Sequence, residues 1–238
     1  MNFFQSKKIE RKIGPKIFDT AAGDNFQNKF KPRLYEDQIN FDRLRMYRLN
    51  RVREQLLQSD IGACILFDPI NIRYATDARN MSMFTMHTLA RYVFIPVSGP
   101  VFLFDYPKSE HLSKDLCTID EIRVAESWDF FSAGNTVYSN AKKWADSIDG
   151  LMKTYISNNK RLAIDICDPA GIQSLTDSYH YDLYNAQEFI EKARSIKSDD
   201  ELMCMNASIK TAEKGMALMY EKLQAGMKEE ELWSYLHK

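Results

Sequence analysis

The sequence predicts an α/β domain, a mixed β-sheet flanked by helices. Three observations lead there. Short apolar, strand-like runs, ACILF at 63–67 and RLAID at 161–165, alternate with segments of helical periodicity. The runs RYVFIP and VFLFDY flank Ser98-Gly99-Pro100, which reads as a strand–turn–strand hairpin, so the sheet combines antiparallel and crossover connections. From Gln187 onward strand signals stop and only helical ones remain.

In chain order, residues 1–36 are polar, basic and aperiodic and read as an extended arm. Phe3, Phe4, Phe18, Phe26, Phe30 and Tyr35 are many aromatics for a floppy tail, so the arm is expected to dock, for instance on a second subunit. Within 41–57, Leu49, Val52 and Leu56 recur at helical spacing, and Gly62 is expected to end that helix. ACILF is then a buried strand. The stretch that follows, FDPINIRYATDARNMSMFTMHTLARYVFIP, reads as a long glycine-free loop leading into the first hairpin strand. EIRVAE at 121–126 is a further strand. Val137, Ala141, Trp144, Ala145, Ile148, Leu151, Met152, Tyr155 and Ile156 mark an amphipathic helix, RLAID a strand, and DLYNA a short edge strand.

Ser198 with Glu201 forms a capping box, which satisfies free backbone N–H groups at a helix start. Behind it Leu202, Met205, Ile209, Ala212, Met216, Met219 and Leu223 make an apolar stripe that ends near Gly226. A last helix begins near Lys228, carries Leu232, Trp233 and Leu236, and meets no stop signal before Lys238. The chain thus divides into an arm at 1–36, an α/β domain at 37–193 and, at 194–238, the start of a second domain that reads as cut.

Composition excludes several classes. A net charge of −1 argues against electrostatic nucleic-acid binding. Arg43, Arg45, Arg48, Arg51 and Arg53 are the local exception, either a solvated helix face or a basic surface for an acidic partner or subunit. Cys64, Cys117, Cys167 and Cys204 are scattered without CxxC spacing, so no disulfide framework is expected and a reducing, cytoplasmic setting is. No apolar run suits a signal peptide or a membrane span.

Catalysis needs a constellation, and none stands out. There is no Gly-rich phosphate loop and no GxSxG elbow. His87, His111, His180 and His237 show no metal-binding spacing, and paired acids such as Asp199-Asp200 sit in first turns of helices, where they complement the macrodipole. The loop after ACILF remains. It is either a connection whose polar groups cap its neighbours or a recognition loop. In the second reading Arg91 offers a planar fork of donors to a carboxylate, Met81, Met83 and Met86 an adaptable apolar wall, and His87 a polar tip. The candidate substrate-binding residues are Arg91, His87, Met86 and Arg79. Placed at the mouth of a loop, Arg91 is expected to matter little for folding.

The run FDPINIRYATD, followed by NM, a His and ARY, resembles the N-terminal domain of the creatinase/prolidase ("pita-bread") family, and within it most closely the dimethylsulfoniopropionate lyases. LRMYRLNRVREQL at 44–56 and KARSIKSDDELMCMNASIKTAEKGM at 192–216 agree, the latter resembling the start of that family's catalytic domain, and GMKEEELWSYLH resembles its second helix. The resemblance implies a metal-dependent hydrolase or lyase acting as a homodimer on a small molecule or short peptide. It implies a divalent metal (Fe, Mn or Zn) held by residues beyond this sequence, leaving this chain with no metal and no activity of its own. It also implies that the N-terminal domain reads a substrate held in the partner subunit, with Arg91, beside Tyr92, as the carboxylate-binding Arg. The alternative is a non-catalytic peptide-binding or interaction module of the same family.

Overall fold

The computed structural model describes residues 38–81, 88–156 and 159–237. They form α1 (Phe41–Gln58), β1 (Ala63–Leu66), α2 (Pro69–Thr76), β2 (Tyr92–Pro96), β3 (Phe102–Asp105), β4 (Glu121–Val124), the short α3 (Phe130–Ala133) and α4 (Val137–Tyr155). There follow β5 (Arg161–Ile164), α5 (Pro169–Tyr179), β6 (Asp182–Asn185), α6 (Ala186–Ser195), α7 (Asp199–Lys222) and α8 (Glu229–Ser234). The docking arm expected at 1–36 lies outside the described residues.

The six strands make one sheet in the order β4-β3-β2-β1-β5-β6. The hairpin β2–β3 is antiparallel, with Tyr92 opposite Phe104, and β1 also runs antiparallel to β2. The pairs β3–β4, β1–β5 and β5–β6 are parallel, so the sheet is mixed, with DLYNA at one edge. Alternation along the strands sends side chains to two separate cores. Cys64 and Leu66 join Val93, Ile95 and Leu103 under α1, α2 and α6; Ala63 and Ile65 join Phe94, Phe102 and Leu162 under α4 and α5. The second core holds an aromatic block in which Trp128 and Trp144 lie 4.5 Å apart, with Phe67 and Tyr92 against them.

Two helices depart from the sequence expectation. The long loop after β1 begins with α2, and another helix, α5, follows β5. Both open on the same local signal, an Asp N-cap followed by Pro at the first helical position. Asp68 accepts from the N–H groups of Ile70 and Asn71, and Asp168 from that of Gly171. Proline has no N–H to lose there and its fixed φ suits the first turn. The stop of α1 also differs. Asp60, at φ 54°, turns the chain, whereas Gly62 serves close packing: a Cβ there would run into Ile156 Cγ2.

The described chain falls into two compact units, one being Phe41–Ser198 and the other containing Asp199–Lys238. In the latter, α7 packs through Gly215 against Leu236, and Leu202, Met205, Ile209, Met216 and Leu223 are exposed. No helix among the described residues is long and apolar enough to cross a membrane.

Candidate functional site

The segment that follows α2 is anchored at its entry. Asp77 is the C-cap of α2 in left-handed conformation, which Asp tolerates better than most residues. Its carboxylate receives Arg45 Nε from α1 at 3.0 Å and lies 3.5 Å from Arg79 Nη2. Burial works against the Arg45 charge, but Asp77 and Asp42 more than offset it and push its pKa up. The Thr76 hydroxyl donates to Ile72 O and accepts from Ala78 N–H, and Thr118 donates to Thr76 O. Past this anchor Arg79 and Met81 face solvent, the Arg79 side chain 63% and Met81 60% exposed.

The exit is set by the hairpin register. One step beyond the Tyr92–Phe104 pair, antiparallel pairing puts residue 91 opposite 105. Arg91 and Asp105 meet there, Nε to Oδ2 at 3.0 Å, both side chains only 1% exposed. This corrects the expected exposure of Arg91. The fork is not at the mouth of the loop but in the interior, because its strand register delivers it to a buried carboxylate. The other oxygen of Asp105 accepts from Asn80 Nδ2 at 2.9 Å and from Tyr106 N–H at 2.8 Å. Asn80 Oδ1 in turn accepts from Met81 N–H. Arg91 Nη2 is buried and has no acceptor among the described residues. The Tyr106 hydroxyl meets Thr88, and burial raises its pKa. Met83, Met86 and His87 lie outside the described residues.

Four of the five α1 arginines are engaged within the chain's own structure. Besides Arg45, Arg51 pairs with Glu54, Arg53 donates to the carbonyls of Pro96 and Gly99, and Arg48 stacks over Tyr74.

A second polar cluster sits where parallel strands β1 and β5 end, the place where open α/β sheets commonly bind ligands. Here the carboxylates are already occupied. Asp165 accepts from the N–H groups of Phe67, Asp68 and Ile166 and from Asn71 Nδ2, which also reaches Gln187. Asp168 accepts from Gly171 N–H and Trp128 Nε1. The cluster latches the starts of α2 and α5. An open groove of about 460 Å³ between α4 and α5, lined by Tyr138, Lys142, Gln173, Ser174, Asp177 and Ser178, holds no comparable constellation. None of the four cysteines forms a disulfide, and burial pushes the Cys167 thiol up to about 12. Among the described residues no three His, Cys, Asp or Glu side chains stand together to hold a metal ion.

Sequence reasoning singled out Arg79 and Arg91 but missed Asp105 and the bridging role of Asn80. Counting the register outward from the Ser98-Gly99-Pro100 turn pairs 97 with 101 and so sets Arg91 opposite Pro107; the observed register is shifted by two residues and brings Asp105 there instead.

The profile of the Creatinase/Prolidase N-terminal domain matches residues 48–196. Dimethylsulfoniopropionate lyase DddP of Roseovarius nubinhibens is 26% identical over 254 residues, covering 99% of this chain and 56% of that protein. The DddP of Roseobacter denitrificans is 28% identical, covering 82% of this chain and 44% of its own length. The chain thus spans about half the length of these relatives. Among solved structures, the prolidase of Thermococcus sibiricus superposes with a TM-score of 0.57 at 19% identity, over 79% of this chain and 47% of that one. The Xaa-Pro dipeptidase of Bacillus anthracis gives 0.56 at 16%, over 80% and 47%. At these identities the likeness is one of fold.

Proposed function

Because the chain belongs to the creatinase/prolidase N-terminal domain family, we propose that its α/β unit reads the substrate of a metal-dependent dimethylsulfoniopropionate lyase that acts as a homodimer. The observation that carries this reading is the match to a dimethylsulfoniopropionate lyase along nearly the whole chain. The solved prolidase and dipeptidase structures speak for the fold and are neutral on chemistry.

The local chemistry suits such a substrate, which carries a carboxylate at one end and a sulfonium at the other. Arg79, exposed and only loosely held by Asp77, offers charge-assisted donors to the carboxylate, and Met81 an adaptable apolar contact to the body. Arg91 supports these groups from below. Fe, Mn or Zn is the cofactor that the resemblance implies. The described residues offer no ligand set for it.

The test is release of dimethyl sulfide from dimethylsulfoniopropionate, read by headspace gas chromatography on the protein extended to its relatives' full length, with Fe, Mn or Zn supplied. Lyase activity is expected there and not from residues 1–238 alone, and Arg79→Ala in the extended protein is expected to raise KM about tenfold, a loss of about 1.4 kcal/mol, with the melting temperature unchanged. Cleavage of a Xaa-Pro dipeptide without dimethyl sulfide release would replace the lyase reading by a hydrolase. Dipeptide binding without turnover would make the protein a binding module. Sedimentation equilibrium of a single 27.7 kDa species would remove the homodimer.

A further inference from the structure

Asp77 and Asn80 bracket Arg79, and each is tied to a different element of the α/β unit. Asp77 is held by Arg45 on α1, and Asn80 by Asp105 at the end of β3. The Asn80 amide is used at both ends, Nδ2 donating to Asp105 and Oδ1 accepting from Met81 N–H at 2.8 Å. The backbone on either side of Arg79 is thereby fixed, while the Arg79 side chain stays in solvent.

Stability alone does not account for the base of this arrangement. A buried ion pair is commonly matched or exceeded by well-packed apolar residues of similar volume. This pair also leaves Arg91 Nη2 buried without an acceptor among the described residues, a further penalty that an apolar pair would not carry. What apolar residues could not supply is a fixed acceptor for Asn80. The Arg91 guanidinium orients the Asp105 carboxylate, one oxygen is taken by Arg91, and the other is presented to Asn80 and to Tyr106 N–H.

We propose that Asn80 and Asp105 are positioning residues that hold the 77–81 segment rigid and set the direction in which Arg79 meets its ligand. The proposal deepens the substrate-reading function above and rests on it for the ligand, though not for the rigidity. A preset donor spares the ordering cost that a free arginine pays on binding.

Asn80→Ala tests this, because it cuts the tether and leaves the Arg91–Asp105 pair in place. Hydrogen exchange of the chain without ligand is the first measurement. Exchange across 78–81 should rise at least about tenfold, with β2 and β3 unchanged. Exchange equal to wild type would overturn the bracket whatever the substrate proves to be. The second measurement is a KM cycle with dimethylsulfoniopropionate on Asn80→Ala, Arg79→Ala and the double variant, each in the protein extended to its relatives' full length. If Asn80 acts through Arg79, Asn80→Ala raises KM several-fold while kcat holds and the melting temperature falls only by the loss of the one bond to Asp105, and the double variant is no worse in KM than Arg79→Ala alone. Additive effects would overturn the positioning role. An Arg79→Ala variant with unchanged KM would sink the substrate-reading function instead, and the exchange result would still decide the bracket.

Discussion

Arg91→Ala gives a direct measure of what the interior of this site is worth. The substitution removes one partner of an ion pair whose side chains are both 1% exposed and leaves the Asp105 carboxylate without its cation. Breaking a buried pair from one side typically destabilises by about 3–5 kcal/mol, because the remaining charge keeps its desolvation penalty. Asn80 Nδ2 and Tyr106 N–H still donate to Asp105, which favours the low end of that range. A loss of about 3 kcal/mol is a large share of the roughly 5–15 kcal/mol that holds a domain folded. Urea unfolding followed by tryptophan fluorescence can read it, since Trp128 and Trp144 are both buried at 1% exposure or less. The paired substitution Arg91→Met with Asp105→Leu should cost less than Arg91→Ala alone, because no uncompensated charge remains. A cost below about 1 kcal/mol for Arg91→Ala would refute the reasoning, as that is the range of exposed pairs. So would a paired variant less stable than the single one.

Two further substitutions probe the frame around the site. Gly171→Ala should destabilise by about 1–3 kcal/mol despite alanine's better helix propensity, since its Cβ would lie 2.6 Å from Cys167 Sγ and 3.0 Å from Trp128 Cζ2. Gly150→Ala in α4 meets nothing within 4 Å and should stabilise by up to about 1 kcal/mol, so opposite signs in one urea series are the expected result. Burial raises the Asp165 carboxyl pKa, with hydrogen bonds from Phe67, Asn71, Ile166 and Asp68 partly offsetting it. A raised folded-state pKa means that the native state holds the proton more tightly, so this contribution is full below the unfolded value of about 3.9 and is lost as pH rises through the folded value. Asp165→Asn lacks that slope and turns an amide N–H₂ toward existing donors, at about 1–3 kcal/mol. Its stability gap to wild type should therefore narrow as pH rises, and a widening gap in urea midpoints across that range would contradict the assignment.

Much of the architecture was already determined by the sequence on its own. The apolar spacing of α1 and α4, the strand ACILF and the hairpin around Ser98-Gly99-Pro100 are local signals, readable because side-chain periodicity and turn chemistry act over a few residues. The two Asp-Pro starts at Asp68 and Asp168 are equally local, and they open α2 and α5 where apolar periodicity alone shows a loop after ACILF and no helix after RLAID. The fate of Arg91 is of another kind. Its composition and neighbours suit an exposed recognition fork, and what decides otherwise is a partner fourteen positions away, brought opposite by strand register and enclosed by the sheet and its helices. The same holds for Arg45, Arg48, Arg51 and Arg53 of α1, which as a sequence belong to a basic patch and in the fold engage Asp77, the Tyr74 ring, Glu54 and the carbonyls of Pro96 and Gly99. Local chemistry sets which elements form. Tertiary contact sets which charges remain available, because a charge removed from water must find its partner within the fold.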